Sequence, residues 1–282
     1  MIKDSIKIEK GFWEALICPR LGGNIIKLAH KGKDILMPLL DEAELKVNPY
    51  LYGAPIIMPA NRTYKGEFTF EGKEYHLPIN EPRSGCNLHG SVLFEEFEVI
   101  KSSLDSVTLR LLDEEARSYP FPFELTITYG LTEQGLYSEY TVRNIGSQNM
   151  PLTFCTHTTF VSPQIFSVPI TLCQESDSVD VPTGRYIPLD EQEQKYVSGS
   201  PSQSIYISGY YLSGGQKAEV GDYIYEVSDN FDHWVFYNGG KESGFLCIEP
   251  QAGAVNGLNI EGGHLIVKKG DKVRFTTLIS EK

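Results

Sequence analysis

The chain has 282 residues, of which 41% are hydrophobic, 22% charged and 11% aromatic, and its formal net charge is −12. This composition predicts a soluble globular protein with enough apolar material for a sizeable core. The acidic balance works against sequence-independent nucleic-acid binding, which needs a basic face to displace counterions, and against docking on anionic membranes; a neutral small molecule suits it better.

The first twenty residues, MIKDSIKIEKGFWEALICPR, carry charges throughout and have no apolar core of the kind a secretory signal needs. No stretch approaches the roughly 20 apolar residues of a membrane span, so a cytoplasmic location is expected. DEAELKVNPYLYG (41–53) is the best helical stretch, kept short by Pro49. MPANRTYKG follows with Arg62, a residue type more often found in a surface ion pair than in a site. GEFTFEGKEYHL reads as a hairpin turned at Glu71-Gly72. NLHGS then places His89 between an apolar residue and a glycine.

Period-two alternation dominates the middle of the chain. In SVTLRLL, Val107, Leu109 and Leu111 share one face. In FELTITYGL, Leu125, Ile127, Tyr129 and Leu131 do the same, and the TEQG turn leads into LYSEYTVRN to make a second hairpin. PLTFCTHTTF sets His157 in a strand-like run of threonines and aromatics, where a hydrogen-bonded core histidine is the plain alternative to a catalyst. YVSGSPSQSIY (196–206) breaks the pattern and reads as a surface loop. CIEPQAG ends an apolar run on Glu249, a costly position for a carboxylate unless it is paired or used. Pro250 and the Gly/Asn-rich loop after it are expected to end that strand. DKVRFTTLIS closes the chain with Val273, Phe275, Thr277 and Ile279 on one face. Many short alternating strands with scarce helix predict an all-β fold, a large antiparallel β-sandwich.

The five cysteines, Cys18, Cys86, Cys155, Cys173 and Cys247, are odd in number and none pair at metal-knuckle spacing. They read as small buried hydrophobes, not as a disulfide framework or a zinc site. There is no P-loop, no dinucleotide fingerprint, no G-x-S-x-G elbow and no histidine pair at helical ligand spacing, so no cofactor and no metal are expected. A carboxylate and an imidazole brought together by the fold remain as a general base and general acid. Glu249 and His157 are candidates for them, although spacing alone does not select them.

The ordered set ANRTYKGEFTFEGKEYHLPINE, NLHGS, YPFPFEL, MPLTFCTHTTF, VPTGRYIP and CIEPQAGAVNGLN resembles the aldose 1-epimerase (galactose mutarotase-like) family over roughly residues 10 to 280. The resemblance implies a single domain, 1–282, with the galactose mutarotase-like supersandwich fold. It implies that Glu249 is the general base and His157 the general acid. It implies that His89 hydrogen-bonds the sugar and Arg62 contacts its hydroxyls. The activity implied is interconversion of the α and β anomers of a hexose, with His157 entering as imidazolium and Glu249 as carboxylate. The expected partner is a small-molecule aldose, with no nucleic acid or membrane, and the protein is expected as a monomer or homodimer.

One feature of the family is missing. Better-known members carry an aspartate after the PTG turn, where this chain reads YISGYYLSGG with no acid. Asp232 in NFDHW looks like the start of the next strand pair and is not carried over. Tyr64, Phe160, Trp234 and Tyr237 are candidates to stack on the sugar. A hexose 6-phosphate epimerase is an alternative within the family, with Lys65, Arg83 and Arg185 available to a phosphate. A non-catalytic carbohydrate-binding protein on the same fold is an alternative outside it.

Overall fold

The computed structural model describes residues 2–282. Two large antiparallel sheets carry the fold. The nine-stranded sheet runs Glu98–Ser102, Ser106–Asp113, Phe123–Leu131, Gly135–Asn144, Lys272–Glu281, Tyr223–Val227, Lys217–Val220, Ile165–Ser167 and Ser200–Pro201. The eight-stranded sheet runs Pro182–Pro188, Ile170–Ser176, Ser208–Ser213, His233–Tyr237, Phe245–Ala252, Phe154–Thr156 and Ile56–Ile57, with Thr159–Val161 as a second neighbour of Phe245–Ala252. A four-stranded sheet from Ile6 to Asp34 and three two-stranded ribbons complete it.

The alternation read in the sequence is the reason these strands pack. Phe123–Leu131 is buried at every odd-numbered residue and only partly covered at every even one, as a strand with one face on a core must be. The two large sheets meet through aromatic side chains. Phe154 stacks on Phe275 with ring centroids 4.6 Å apart, and Phe160 meets Tyr225 edge-on at 5.5 Å. Both predicted hairpins form, Glu67–Phe70 with Lys73–His76 and Phe123–Leu131 with Gly135–Asn144.

Three expectations change. The 41–53 stretch yields only a 3₁₀ turn over Glu42–Lys46, capped by Asp41 and Glu44, with no buried residue to hold a longer helix. A helix at Glu191–Ser198 stands where none was expected, although its signals are in the sequence: Asp190 and Glu193 form a capping box and Gly199 stops it. The Ser-rich 196–206 stretch is not simply a surface loop. Tyr196, in the last turn of that helix, is buried in the core, Ser200–Pro201 joins a sheet edge, and Ser200 and Ser202 are buried. The Ser202 hydroxyl bonds the Pro163 carbonyl and Ser162, which is how a polar run lies inside a protein.

Candidate active site

The carboxylate of Glu249 is placed by period two. In Phe245–Ala252 every residue is buried, and Leu246, Ile248 and Ala252 join the main core. Cys247, Glu249 and Gln251 therefore project from the opposite face. On that face Glu249 lines a cavity with residues of the 48–62 and 81–89 segments, outside the main core cluster.

Pro250 does not end the strand, which runs two residues further to Ala252. It interrupts one ladder. The Ile248 N–H donates to the Thr158 carbonyl at 2.9 Å, so the position of Pro250, two residues on, faces the same neighbour and has no N–H to give. Pairing with that neighbour resumes only at Cys155↔Gln251 on one side and Thr159↔Cys247 on the other. His157 stands in the gap, its own N–H donating to the Pro55 carbonyl at 2.9 Å. The gap brings His157 Nε2 to 3.4 Å from Glu249 Oε1.

His89 and Arg62 come from a two-stranded ribbon, Arg62–Tyr64 with Cys86–Leu88. Asn61 (φ 54°) and His89 (φ 65°) are both left-handed at its ends, a backbone cost that non-glycine residues bear mainly where surrounding structure holds them in place. The His89 N–H donates to the Asn61 carbonyl at 2.8 Å. The His89 ring meets His157 edge-on with centroids 5.2 Å apart, and Tyr50 packs on His89 at 4.5 Å.

A cavity of about 310 Å³ is lined by all four candidates, Arg62, His89, His157 and Glu249. The sequence reading missed several of their neighbours. Arg62 makes a bidentate pair with Glu81 at 2.8 and 2.7 Å and donates to the Tyr210 hydroxyl. Asp180 and Arg83 also line the cavity, 3.0 Å apart as an ion pair. Asp180 carries no local motif, and Glu81 closes the ANRTYKGEFTFEGKEYHLPINE stretch that also holds Arg62, where nothing in the pattern marks it as the partner of Arg62. Tyr210 lies in YISGYYLSGG, so the stretch that lacks an acid contributes a phenol bound to Arg62.

Of the aromatics expected to stack on a sugar, only Tyr237 lines the cavity. Phe160 and Trp234 are core, the latter with its indole N–H on Ser213 Oγ and the Gly215 carbonyl, and Tyr64 is 43% exposed outside the cavity. Lys65 and Arg185 are also outside it. Asp232 does not reach the cavity either. It accepts from the Gly253 N–H and from His233 Nδ1, both at 2.8 Å, at the entrance to strand His233–Tyr237.

The charge states differ from the imidazolium and carboxylate expected. Burial pushes the Glu249 carboxyl up to about 8 and the His157 imidazole down to about 4. The environment explains both. Glu249 receives only a weak thiol donor, Cys155 Sγ at 3.7 Å. His157 Nδ1 is buried without a partner, so an imidazolium would enclose an unsatisfied N–H. Burial thus favours a protonated Glu249 carboxyl beside a neutral His157. Burial also lowers His89 well below the usual histidine value, assisted by His157 and Arg62, so it meets a ligand as a neutral imidazole. The Arg62 charge draws Glu249 back toward ionisation.

A family model described as aldose 1-epimerase matches residues 4–280. Galactose mutarotase of Rattus norvegicus is 30% identical over 200 residues, covering 64% of this chain and 56% of that protein. Galactose mutarotase of Homo sapiens is 30% identical over 230 residues, covering 77% of this chain and 61% of that one. The chain thus spans little more than half of these curated relatives. A crystal structure of a galactose mutarotase-like protein from Clostridium acetobutylicum superposes with a TM-score of 0.91 at 24% identity, covering 99% of this chain and 95% of that one. That likeness establishes the fold, a galactose mutarotase-like β-sandwich.

Proposed function

The chain belongs to the aldose 1-epimerase family, and on that premise we propose that it interconverts the α and β anomers of an unphosphorylated aldose by general acid–base ring opening and closing. The observation that carries this reading is the Glu249–His157 pair, 3.4 Å apart and lining a cavity with His89 and Arg62. Residues 1–282 are taken as one catalytic unit, since the cavity draws on side chains from Asn48 to Glu249.

Acid and base in this reaction must exchange protons in both directions, and a pair with one proton between them can do so. Shifting that proton from Glu249 to His157 creates a carboxylate and an imidazolium without changing the net charge of the site. Arg62 favours that shift by stabilising the carboxylate. Glu249 then takes the proton of the C1 hydroxyl as His157 protonates the ring oxygen. The C1–O bond of the ring breaks and the C1 carbonyl forms. The pair again holds one proton, now on Glu249. Rotation about C1–C2 presents the other carbonyl face, and the steps run backwards to close the ring. His89 and Arg62, with Tyr210 and Asn61 beside them, are the donors and acceptors for sugar hydroxyls.

The lining selects against a phosphate. Its two arginines are both compensated, Arg62 by Glu81 and Arg83 by Asp180. Among the described residues, no unpaired lysine or arginine lines the cavity. A neutral aldose needs none, whereas a sugar phosphate would have to break an ion pair to gain one.

Polarimetry on α-glucose and α-galactose tests the proposal. Glu249→Gln and His157→Asn are each expected to lower the catalysed rate by about 10²–10⁴-fold while remaining folded. Full activity in both folded variants overturns the assignment, and sugar binding without faster anomer exchange in the unaltered protein favours a binding role instead.

A further inference from the structure

Cys247 shares the outward face of its strand with Glu249, two residues away. Its thiol, a carboxylate oxygen of Glu249 and a ring nitrogen of His157 all lie within 4.8 Å of one another, and all three residues are buried. Local spacing hides this trio, because His157 comes from a neighbouring segment some ninety positions earlier in the chain. We infer that His157, Cys247 and Glu249 form a binding site for a soft or borderline divalent cation, Zn²⁺ in chemical class, that occupies the acid–base pair.

The donor set is the first argument. One thiolate, one imidazole and one carboxylate is a combination that suits Zn²⁺ and does not suit Mg²⁺ or Ca²⁺, which take oxygen ligands. Three protein ligands leave a fourth tetrahedral position for water or a sugar hydroxyl from the cavity that Glu249 and His157 line. Among the described residues the other grouping of this kind, Glu67, Glu74 and His76, is exposed on a hairpin and contains no sulfur.

Charge is the second argument. The site is buried, so an uncompensated dication would be costly there. The Cys247 thiolate and the Glu249 carboxylate together cancel the two charges of the ion, and His157 binds as a neutral imidazole. A thiol must lose its proton to bind a metal, so binding tightens as pH rises. Near the trio, Thr159 Oγ1 lies 3.4 Å from Cys247 Sγ, placed to donate to a thiolate.

The consequence depends on the proposed function: an ion on Glu249 and His157 removes base and acid together, so Zn²⁺ inhibits. Binding itself does not depend on that reading and is measured separately. Co²⁺ added to the chelator-treated protein is expected to give a thiolate-to-cobalt charge-transfer absorption that Zn²⁺ abolishes and Mg²⁺ does not. Cys247→Ser, which lies outside the acid–base machinery, is expected to lose the band and to weaken Zn²⁺ inhibition by about 100-fold or more, with basal mutarotation retained. Cys173→Ser should retain the band. No charge-transfer band in the unaltered protein, or a band that survives in Cys247→Ser, overturns the site. A band that behaves as expected in a protein without mutarotase activity supports the site and refutes the proposed function alone.

Discussion

Glu249 is costly for a residue-scale reason, which a pH-dependent stability measurement exposes. Its folded pKa of about 8 lies above the ordinary 4.5. The folded state therefore holds its proton more tightly than the unfolded one, and this contribution to stability is full below about 4.5 and lost as pH rises through 8. His157 acts in the opposite sense. Its folded pKa of about 4 lies below the ordinary 6.5, so its contribution grows as pH rises from about 4 to 6.5. The two oppose each other up to about pH 6.5, and above that the loss from Glu249 is uncovered. In urea unfolding, Glu249→Gln is expected to be more stable than the unaltered protein by on the order of a few kcal/mol at pH 8–9. The gap should close as pH falls toward 4.5. A constant gap across that range would mean that the carboxyl is not held protonated by the fold. The stacking aromatics show the limit of reading single residues: Trp234 and Phe160 have the right chemistry, but their strand positions point them into the core.

At the scale of elements, the site depends on a joint between two distant motifs. The loop after Glu249 carries Asn256 in the left-handed region (φ 58°). Its N–H donates to the Arg62 carbonyl, and its side-chain oxygen accepts from the Tyr64 N–H, both at 3.0 Å. The strand bearing Glu249 and the ribbon bearing Arg62 are thereby fixed to each other. Asn256→Ala loses the side-chain bond and strains the backbone, and is expected to cost about 1–3 kcal/mol in urea unfolding with a fall in kcat/KM. Asn256→Gly keeps the backbone free to turn and should recover part of the stability. Equal losses in the two variants would assign the whole effect to the side-chain bond. The same scale explains Pro250. Its residue type suggested a strand end, but only the neighbouring ladder shows that the missing N–H opens a gap for His157 and leaves its own strand intact.

For the whole molecule, the net charge of −12 and the paired arginines act together. An anionic sugar meets a repulsive field and, among the described residues, no unpaired cation in the cavity, so kcat/KM for glucose 6-phosphate is expected below that for glucose. The deficit should shrink as ionic strength rises from about 0.01 to 0.15 M, where the Debye length falls from about 30 to 8 Å. A glucose 6-phosphate rate that exceeds glucose and falls with salt would reverse the substrate assignment.

The sequence alone determined the all-β class, the two hairpins and the alternating faces of the long strands, because a strand's periodicity is local and is written in consecutive residues. It also carried the motifs of Arg62, His89, His157 and Glu249, since each keeps its own short context. Tertiary structure decided what those residues face. Glu81, Tyr210 and Asp180 reach Arg62 and Arg83 only through pairings between separate segments, so even Glu81, at the end of the stretch that holds Arg62, is not marked as a partner. It also decided which protonation states burial favours at Glu249 and His157, because desolvation depends on what covers a side chain, and the cover here comes from segments up to two hundred residues away.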